Sequence, residues 1–390
     1  MTEHFLLHED RFFDPDPAVR SIARELYSSV KDLPIISPHG HTEPAWFSEN
    51  QPFPDPTELI LIPDHYIFRM LYSQGIPLTD LGVPRADGGP TETDGRAIWR
   101  RFAEAYHLFR GTPSRLWLDH AFQEVFGLTD RLSASTADIY YDQISYCLAQ
   151  PEFRPRALIA RFGIEVIATT ESPLDDLRWH RMINDSDWRG RVITAYRPDP
   201  VVDPEFEGFA ANVAQLGDLT GEDTATWPGY LQAHRIRRAY FKEFGATSSD
   251  HGHATARTED LPQAEAAALF TKALAGTCSA QEADAFRGHM LTEMARMSLE
   301  DGLVLQIHPG SLRNHSAQIM AQFGCDKGFD IPTRTDYVRA LRPMLEAVGH
   351  DPRLTVIVFT LDETSYAREL APLAGAYPAL RLGPAWWFHD

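Results

Sequence analysis

Histidines recur directly after short apolar segments, with the spacing of metal ligands. His39 and His41 flank Gly40, just after the apolar segment 33–37. On an extended backbone, residues i and i+2 project from the same face, so both imidazoles can point at one ion. Two neutral imidazoles suit a borderline divalent ion such as Zn²⁺ or Mn²⁺. Two loop histidines that hydrogen-bond to the backbone are the alternative interpretation.

Two other apolar segments also end in histidine. His251 belongs to the sequence His251-Gly252-His253, which follows the segment 245–249, and His308 follows the segment 303–307. Each of these histidines taken alone is equally consistent with a structural role. Three segment ends that carry histidine together indicate a common site, because ligands bind at the carboxyl ends of parallel strands.

A second set of polar side chains begins a predicted helix. His65, Tyr66 and Arg69 stand three and four residues apart, so they can share one helix face. An acid–base group, a phenol and a guanidinium together fit an oxygen-rich anionic substrate. The alternative is a solvated helix face with Tyr66 packed in the core.

Isolated arginines follow two of the predicted strands, at Arg197 and Arg313. The guanidinium fork binds a carboxylate in a bidentate way that lysine cannot. Because the chain carries 36 Lys and Arg against 55 Asp and Glu, a net charge of −19, capture of an anion must be local. A surface ion pair with a neighbour such as Asp199 is an equally good explanation for Arg197. Trp386 can stack on a sugar ring or belong to the core.

The elements that would position these residues alternate along the chain. Seven short apolar segments predict buried parallel strands, of which 245–249 is the weakest. Amphipathic helices lie between them, such as the one over 284–300, and another is predicted near the N-terminus around Ile22 and Leu26. This alternation predicts an α/β fold, either an open doubly wound sheet or a barrel. The seven segments are 33–37, 165–169, 192–196, 245–249, 303–307, 355–360 and 379–382.

No strand is predicted between residues 43 and 162, where only helical patterns occur. We therefore expect residues 1–42 to hold an N-terminal segment and the first strand. Residues 43–162 are expected to form a helical insertion that caps the strand ends, and residues 163–390 to supply the remaining strand–helix units.

Composition excludes several classes of protein. There is no run of Lys and Arg, which argues against nucleic acid or an anionic membrane as the partner. Three scattered cysteines do not make a disulfide framework or a cysteine-based zinc module. We find no signal peptide and no apolar stretch long enough to span a membrane, so we expect a cytoplasmic protein. A small-molecule substrate is expected, and a homo-oligomer is compatible with the sequence.

Taken together, these motifs resemble the uronate isomerase (glucuronate isomerase) family of the amidohydrolase superfamily. The resemblance covers essentially the whole chain, and its ordered set of motifs is far more specific than the pair His39 and His41 alone. The segments that carry it are 39–41, 64–69, 116–127, 169–175, 196–199, 249–252, 307–314 and 386–388.

The resemblance implies a (β/α)8 TIM-type barrel that interconverts D-glucuronate with D-fructuronate, and D-galacturonate with D-tagaturonate. The proton would move from C2 to C1 through an enediolate, aided by a divalent metal, Zn²⁺ or Mn²⁺, with no organic cofactor. By analogy, the metal ligands would be His39, His41 and His251. Tyr66 and His65 would transfer the proton. The substrate would be bound by Arg69, Arg197, His308, Arg313 and Trp386.

The chain departs from the family pattern in two places. Glu171 and Ser172 stand where the family carries two acidic residues. The family's aspartate and arginine at the end of the eighth strand have no counterpart, so we expect a barrel one strand short in a shortened chain. Two alternatives remain open: a metal-dependent hydrolase of the same superfamily, and a non-catalytic protein that binds a sugar acid or a metal.

Overall fold

A computed structural model describes residues 6–385 of the chain, and its centre is one parallel sheet. Nine strands occur in this part: β1 (Ile35–Ser37), β2 (Ile164–Glu171), β3 (Arg191–Tyr196), β4 (Ser248–His251), β5 (Val304–Ile307), β6 (Ser311–Leu312), β7 (Ile331–Pro332), β8 (Val356–Thr360) and β9 (Leu380–Ala385). The sheet has the order β1-β2-β3-β4-β5-β8-β9, and β6 and β7 form a separate antiparallel pair. All seven predicted strands are therefore present, although β4 begins three residues later than expected.

The parallel sheet is strongly curled. His39 follows β1 and His308 follows β5, four places away in the sheet, yet their ring centres are 4.7 Å apart. Neighbouring strands lie about 4.8 Å apart, so four steps across a flat sheet would separate them by roughly 19 Å. This curvature confirms the predicted TIM-type α/β architecture. Among the described residues, β1 and β9 each pair with one neighbour only, and the barrel is not closed.

Helices connect the strands. In residues 6–385 they are α1 (Pro17–Val30), α2 (Pro44–Glu49), α3 (His65–Ser73), α4 (Gly95–Ala105), α5 (Pro113–His120), α6 (Ala137–Leu148), α7 (Pro155–Arg161), α8 (Arg178–Asn184), α9 (Asp199–Val202), α10 (Phe209–Thr220), α11 (Trp227–Glu243), α12 (Gln263–Leu274), α13 (Ala280–Asp301), α14 (Ala317–Phe323), α15 (Tyr337–Ala340), α16 (Arg342–Val348) and α17 (Ala371–Ala376). Within this described part, no helix combines the length and apolar character needed to cross a membrane.

The longest helix, α13, shows how the sequence sets its own boundaries. Ser279 and Glu282 form a capping box at its start, and Gly302 ends it in the left-handed conformation. Its apolar residues Phe286 and Met290 are fully buried against the sheet side of the molecule. The predicted amphipathic helix over 284–300 is thus confirmed within a longer one.

The chain between β1 and β2 is helical and has a hydrophobic core of its own. Trp99 and Phe102 are completely buried in that core, and the Trp99 indole donates a hydrogen bond to the Ala137 carbonyl at 3.0 Å. Ile319, from the chain after β6, packs into the same cluster. A helical segment after the first strand is therefore present, while the division of the chain at residues 42 and 162 stays a prediction.

Candidate metal centre and cavity

The carboxyl ends of the strands open into one cavity of about 1080 Å³. Polar side chains from several strand ends line it, together with His65 at the start of α3. Loops at this end of a curled parallel sheet are where such folds bind their ligands. The polar residues that line it are His39, His41, His65, Ser172, Arg197, Asp199, Asp203, His253, Gln306, His308, Arg313 and Asp326.

Three of these strand ends bring metal-type donors together. His39, Asp250 and His308 each offer one donor atom, and these atoms lie within 4.8 Å of one another. Asp250 Oδ1 is 2.6 Å from His308 Nδ1 and 3.9 Å from His39 Nδ1. Two imidazole nitrogens and one carboxylate oxygen are a donor set that fits a zinc-type ion. The residues present therefore fit the divalent metal that the resemblance implies.

The residues around this group hold its imidazoles in place. Gln306 Oε1 lies 3.1 Å from His39 Nδ1, and Phe359 stacks on the His308 ring at 4.0 Å. His41 stands edge-on to His39 with ring centres 5.1 Å apart. Thr170 of β2 donates a hydrogen bond to the Gly40 carbonyl at 2.8 Å, which fixes the loop that carries both histidines.

Burial keeps the imidazoles of His39 and His41 neutral, as metal ligation requires. Desolvation lowers the pKa of His39, and desolvation together with the nearby Arg197 lowers the pKa of His41 to about 4. Burial opposes the charge on Asp250, but the Arg197 guanidinium and His308 outweigh it and hold the pKa of that carboxyl below its ordinary value. At neutral pH the ionised carboxylate of Asp250 therefore lies beside the neutral imidazole of His39.

Arg197 is fixed between two carboxylates. Its Nε donates to Asp199 Oδ2 and its Nη1 donates to Asp250 Oδ2, both at 2.9 Å. Burial disfavours its charge, but Asp199 and Asp250 more than compensate and raise the pKa of Arg197. A Cβ atom on Gly252 would lie 2.2 Å from Arg197 Nη2, so only glycine leaves room for this placement.

A second group of metal-type donors lies beside the first. Asp199, His251 and His253 also bring one donor atom each within 4.8 Å of one another. Asp250 and His251 are consecutive in β4, and consecutive strand residues point to opposite faces of a sheet. Within the described residues, the structure accordingly groups His251 with His253 and Asp199, and Asp250 with His39 and His308.

Helix α3 brings the second predicted set of residues together. His65 lines the cavity, and burial lowers its pKa. Tyr66 packs edge-on against the His65 ring at 4.3 Å, and the Arg69 guanidinium lies 5.2 Å from the centre of the Tyr66 ring. Arg69 also donates to the Gly328 carbonyl at 3.1 Å. Tyr66 and Arg69 do not line the cavity themselves.

The remaining predicted substrate residues have different positions. Arg313 lines the cavity and lies 3.9 Å from the buried carboxylate of Asp330. Trp386 lies outside the described residues. Sequence reasoning missed Asp250 and Gln306 as site residues. The signal for Gln306 was available, because it precedes His308 by two positions and residues i and i+2 of an extended backbone project from the same face.

Glu171, which departs from the family pattern, does not line the cavity. It accepts a hydrogen bond from Thr194 and lies 3.8 Å from His180, all three being buried. Burial raises the pKa of Glu171 to about 7 and lowers that of His180 to about 4. The carboxyl group therefore belongs to a buried polar cluster with Thr194 and His180.

Comparisons with known proteins agree on one family. The family model described as glucuronate isomerase matches residues 10–390. A uronate isomerase of Rhizobium meliloti is 65% identical over 385 residues, which span 99% of this chain and 82% of that protein. The crystal structure of glucuronate isomerase from Caulobacter crescentus is 57% identical, with a TM-score of 0.97 over 100% of this chain and 81% of that one. A uronate isomerase structure from Thermotoga maritima is 27% identical, with a TM-score of 0.89 over 99% of this chain and 82% of that one.

Proposed function

The chain belongs to the glucuronate isomerase family, and from this premise we propose how its cavity performs the reaction. The protein is a uronate isomerase, an enzyme that interconverts an aldose and a ketose. We propose D-glucuronate and D-galacturonate as the aldoses, with D-fructuronate and D-tagaturonate as the products. A hydrolase or a non-catalytic binding protein is not favoured, because the relatives compared are isomerases. The cytoplasmic location stays a prediction.

The metal ligands we propose are His39, His41, Asp250 and His308. Of the ligands expected from sequence, this set keeps His39 and His41 and replaces His251 by Asp250 and His308. The support is their common position at the strand ends and the close approach of the donor atoms of His39, Asp250 and His308. A divalent ion held there supplies a Lewis acid that polarises a carbonyl oxygen. Zinc is the ion that suits this mixture of imidazole and carboxylate best, and Mn²⁺ is the alternative.

The substrate carboxylate is assigned to the arginines of the cavity. Arg197 is held by Asp199 and Asp250 through Nε and Nη1, so its position is fixed before the substrate arrives. Arg313 also lines the cavity and is about one-third exposed. A guanidinium group binds a planar carboxylate through two parallel hydrogen bonds, and this carboxylate is the group that distinguishes a uronate from a neutral sugar.

Proton transfer is assigned to His65, which lines the cavity, and to Tyr66, which does not line it and is proposed to act through its contact with the His65 ring. A base must take the proton from C2 of the open-chain aldose and return it to C1. The C2 hydroxyl loses its proton in the same reaction, and the former aldehyde oxygen gains one. Burial keeps His65 neutral and therefore able to accept a proton. Tyr66 packs against this imidazole, and Arg69 lies over the phenol ring.

The observation that carries the proposal is that His39, His308, Arg197 and His65 line one cavity, with Asp250 buried beneath it against His308 and Arg197, in a chain of this family. The test is incubation of the zinc-loaded full chain with D-glucuronate deuterated at C2, followed by ¹H and ²H NMR. We expect D-fructuronate to form, with deuterium either at C1 or released to water. Absence of ketose from both D-glucuronate and D-galacturonate, with zinc bound, would contradict the proposal.

A further inference from the structure

Outside the group at His39, the described part of the chain contains another set of three donors. Asp199 begins helix α9 after β3, His251 ends β4, and His253 follows in the next loop. His251 is fully buried and His253 is 6% exposed. The donor atoms of the three residues lie within 4.8 Å of one another, close enough to surround one ion.

Two nitrogens of this set have no hydrogen-bond partner among the described residues. They are His251 Nδ1 and His253 Nε2, and both are inaccessible to solvent. The other nitrogen of His251, Nε2, lies 3.2 Å from Ser249 Oγ. A ligating histidine commonly donates its second ring N–H to such an acceptor, which leaves the first nitrogen with a free lone pair. A buried polar atom without a hydrogen-bond partner is rare, which indicates that these two nitrogens bind a ligand.

The carboxylate of Asp199 is arranged to complete the set. Its Oδ2 accepts from Arg197, while its Oδ1 lies 4.0 Å from His253 Nε2. The Gly252 amide points at the same carboxylate, with 3.3 Å to each oxygen. One oxygen is thus committed to Arg197, and the other faces the unpartnered nitrogen.

Charged groups of both signs lie around this set. The carboxylates of Asp199 and Asp203 act on His253 and favour a cation there, whereas Arg197 and Arg287 oppose it. Arg287 is itself bound by Asp203 at 2.7 Å and by Glu205 at 2.6 Å, which reduces its opposition. The cavity reaches Asp199, Asp203 and His253, so an ion has a route from solvent.

We propose that Asp199, His251 and His253 bind a second divalent transition-metal ion, of the zinc type, separate from the one at His39, Asp250 and His308. The two sites share no ligand. Arg197 lies between them, paired with Asp199 of one site and Asp250 of the other. The second ion ties the loop after β4 to the chain after β3 and holds Arg197 in position from the side opposite Asp250.

The test is the zinc content of the full chain, stripped with a chelator, reloaded with zinc sulfate and desalted before elemental analysis. We expect two zinc ions per chain for the unaltered protein and one for His253→Ala. His308→Ala is also expected to hold one, and the double variant none. His253→Cys restores a zinc ligand and is expected to hold two, which separates loss of the ligand from loss of the fold.

His234→Gln is the matched control. His234 is also fully buried with an unpartnered Nε2, but in the described structure it belongs to neither donor group. This variant is expected to keep both ions. One zinc per chain in the unaltered protein, or two in folded His253→Ala, would overturn the inference. If the unaltered protein binds one zinc ion and is active, the second site is refuted and the proposed function stands. If it binds two zinc ions and shows no turnover, the proposed function is refuted instead.

Discussion

Replacing Gly252 with alanine tests whether the fixed position of Arg197 matters for substrate binding. The added Cβ would lie 2.2 Å from Arg197 Nη2 and 3.1 Å from Asp199 Oδ2. Gly252 does not have a positive φ, so alanine introduces no backbone strain there. The guanidinium is the flexible partner and must therefore move.

The size of the effect follows from the contacts that Arg197 would lose. It holds Asp199 and Asp250 through one 2.9 Å hydrogen bond each. A hydrogen bond to a charged group contributes about 1.5–3 kcal/mol. Losing one of them corresponds to about 2 kcal/mol, or roughly 30-fold at 1.36 kcal/mol per factor of ten. Since Arg197 is assigned to the substrate carboxylate, this loss is expected mainly as a higher KM.

The assay is steady-state turnover of D-glucuronate by the zinc-loaded protein. We expect Gly252→Ala to raise KM by roughly 10- to 100-fold and to change kcat less. Gly375→Ala is the control, because its added Cβ meets no atom within 4 Å and it lies in the last turn of α17. An unchanged KM in folded Gly252→Ala would refute the assignment of Arg197 to the carboxylate.

Three further predictions concern proton transfer, pH dependence and the helical segment. His65→Asn and Tyr66→Phe should each lower kcat by about 10²–10⁴-fold, as expected for loss of general acid–base catalysis, with little change in KM. Normal kcat in both variants would contradict their assignment. Because burial raises the pKa of Glu171 from 4.5 to about 7, the folded state keeps a proton that the unfolded state releases. Its contribution to stability is complete below about pH 4.5 and declines by up to about 3 kcal/mol as the pH rises to about 7. Glu171→Gln should remove this decline in the free energy of unfolding, measured with denaturant at each pH. The lowered pKa of His180 changes stability with pH in the opposite direction, and it contributes equally to both proteins. Identical pH profiles would contradict the raised pKa. Phe102→Ala should cost about 3–5 kcal/mol of unfolding free energy, because the ring is fully buried. Exposed Ile139→Ala should cost about 0.5 kcal/mol or less, and equal losses in the two variants would contradict the separate core.

The regular elements were largely predictable, because buried strands and amphipathic helices have strong local patterns. β4 was the weakest prediction and was displaced by three residues, since its sequence Ser248-Ser249-Asp250-His251 is polar yet completely buried. Asp250 is stabilised there by Arg197 and His308, which directly follow β3 and β5. No local pattern contains that information, and Asp250 was missed for the same reason.

The pattern around Ile22 and Leu26 correctly predicted a helix, but it did not show what the helix packs against. In the described structure α1 buries no residue, and these two side chains are 62% and 65% exposed. A hydrophobic period shows that an apolar face exists, and only the tertiary structure shows whether that face is covered. The pairing of histidines is a similar case. Three strand ends bearing histidine were visible in the sequence, but the alternation of side chains in β4 decides which group His251 can join.

The most direct test of the central claim is zinc titration of the metal-free full chain with turnover of D-glucuronate as the readout, in the unaltered protein and in His308→Ala. If His39, Asp250 and His308 hold the metal that the isomerisation needs, metal-free protein is inactive and added zinc restores turnover. His308→Ala should then stay inactive at zinc concentrations that saturate the unaltered protein. Turnover by metal-free protein, or full recovery in His308→Ala, would contradict the account.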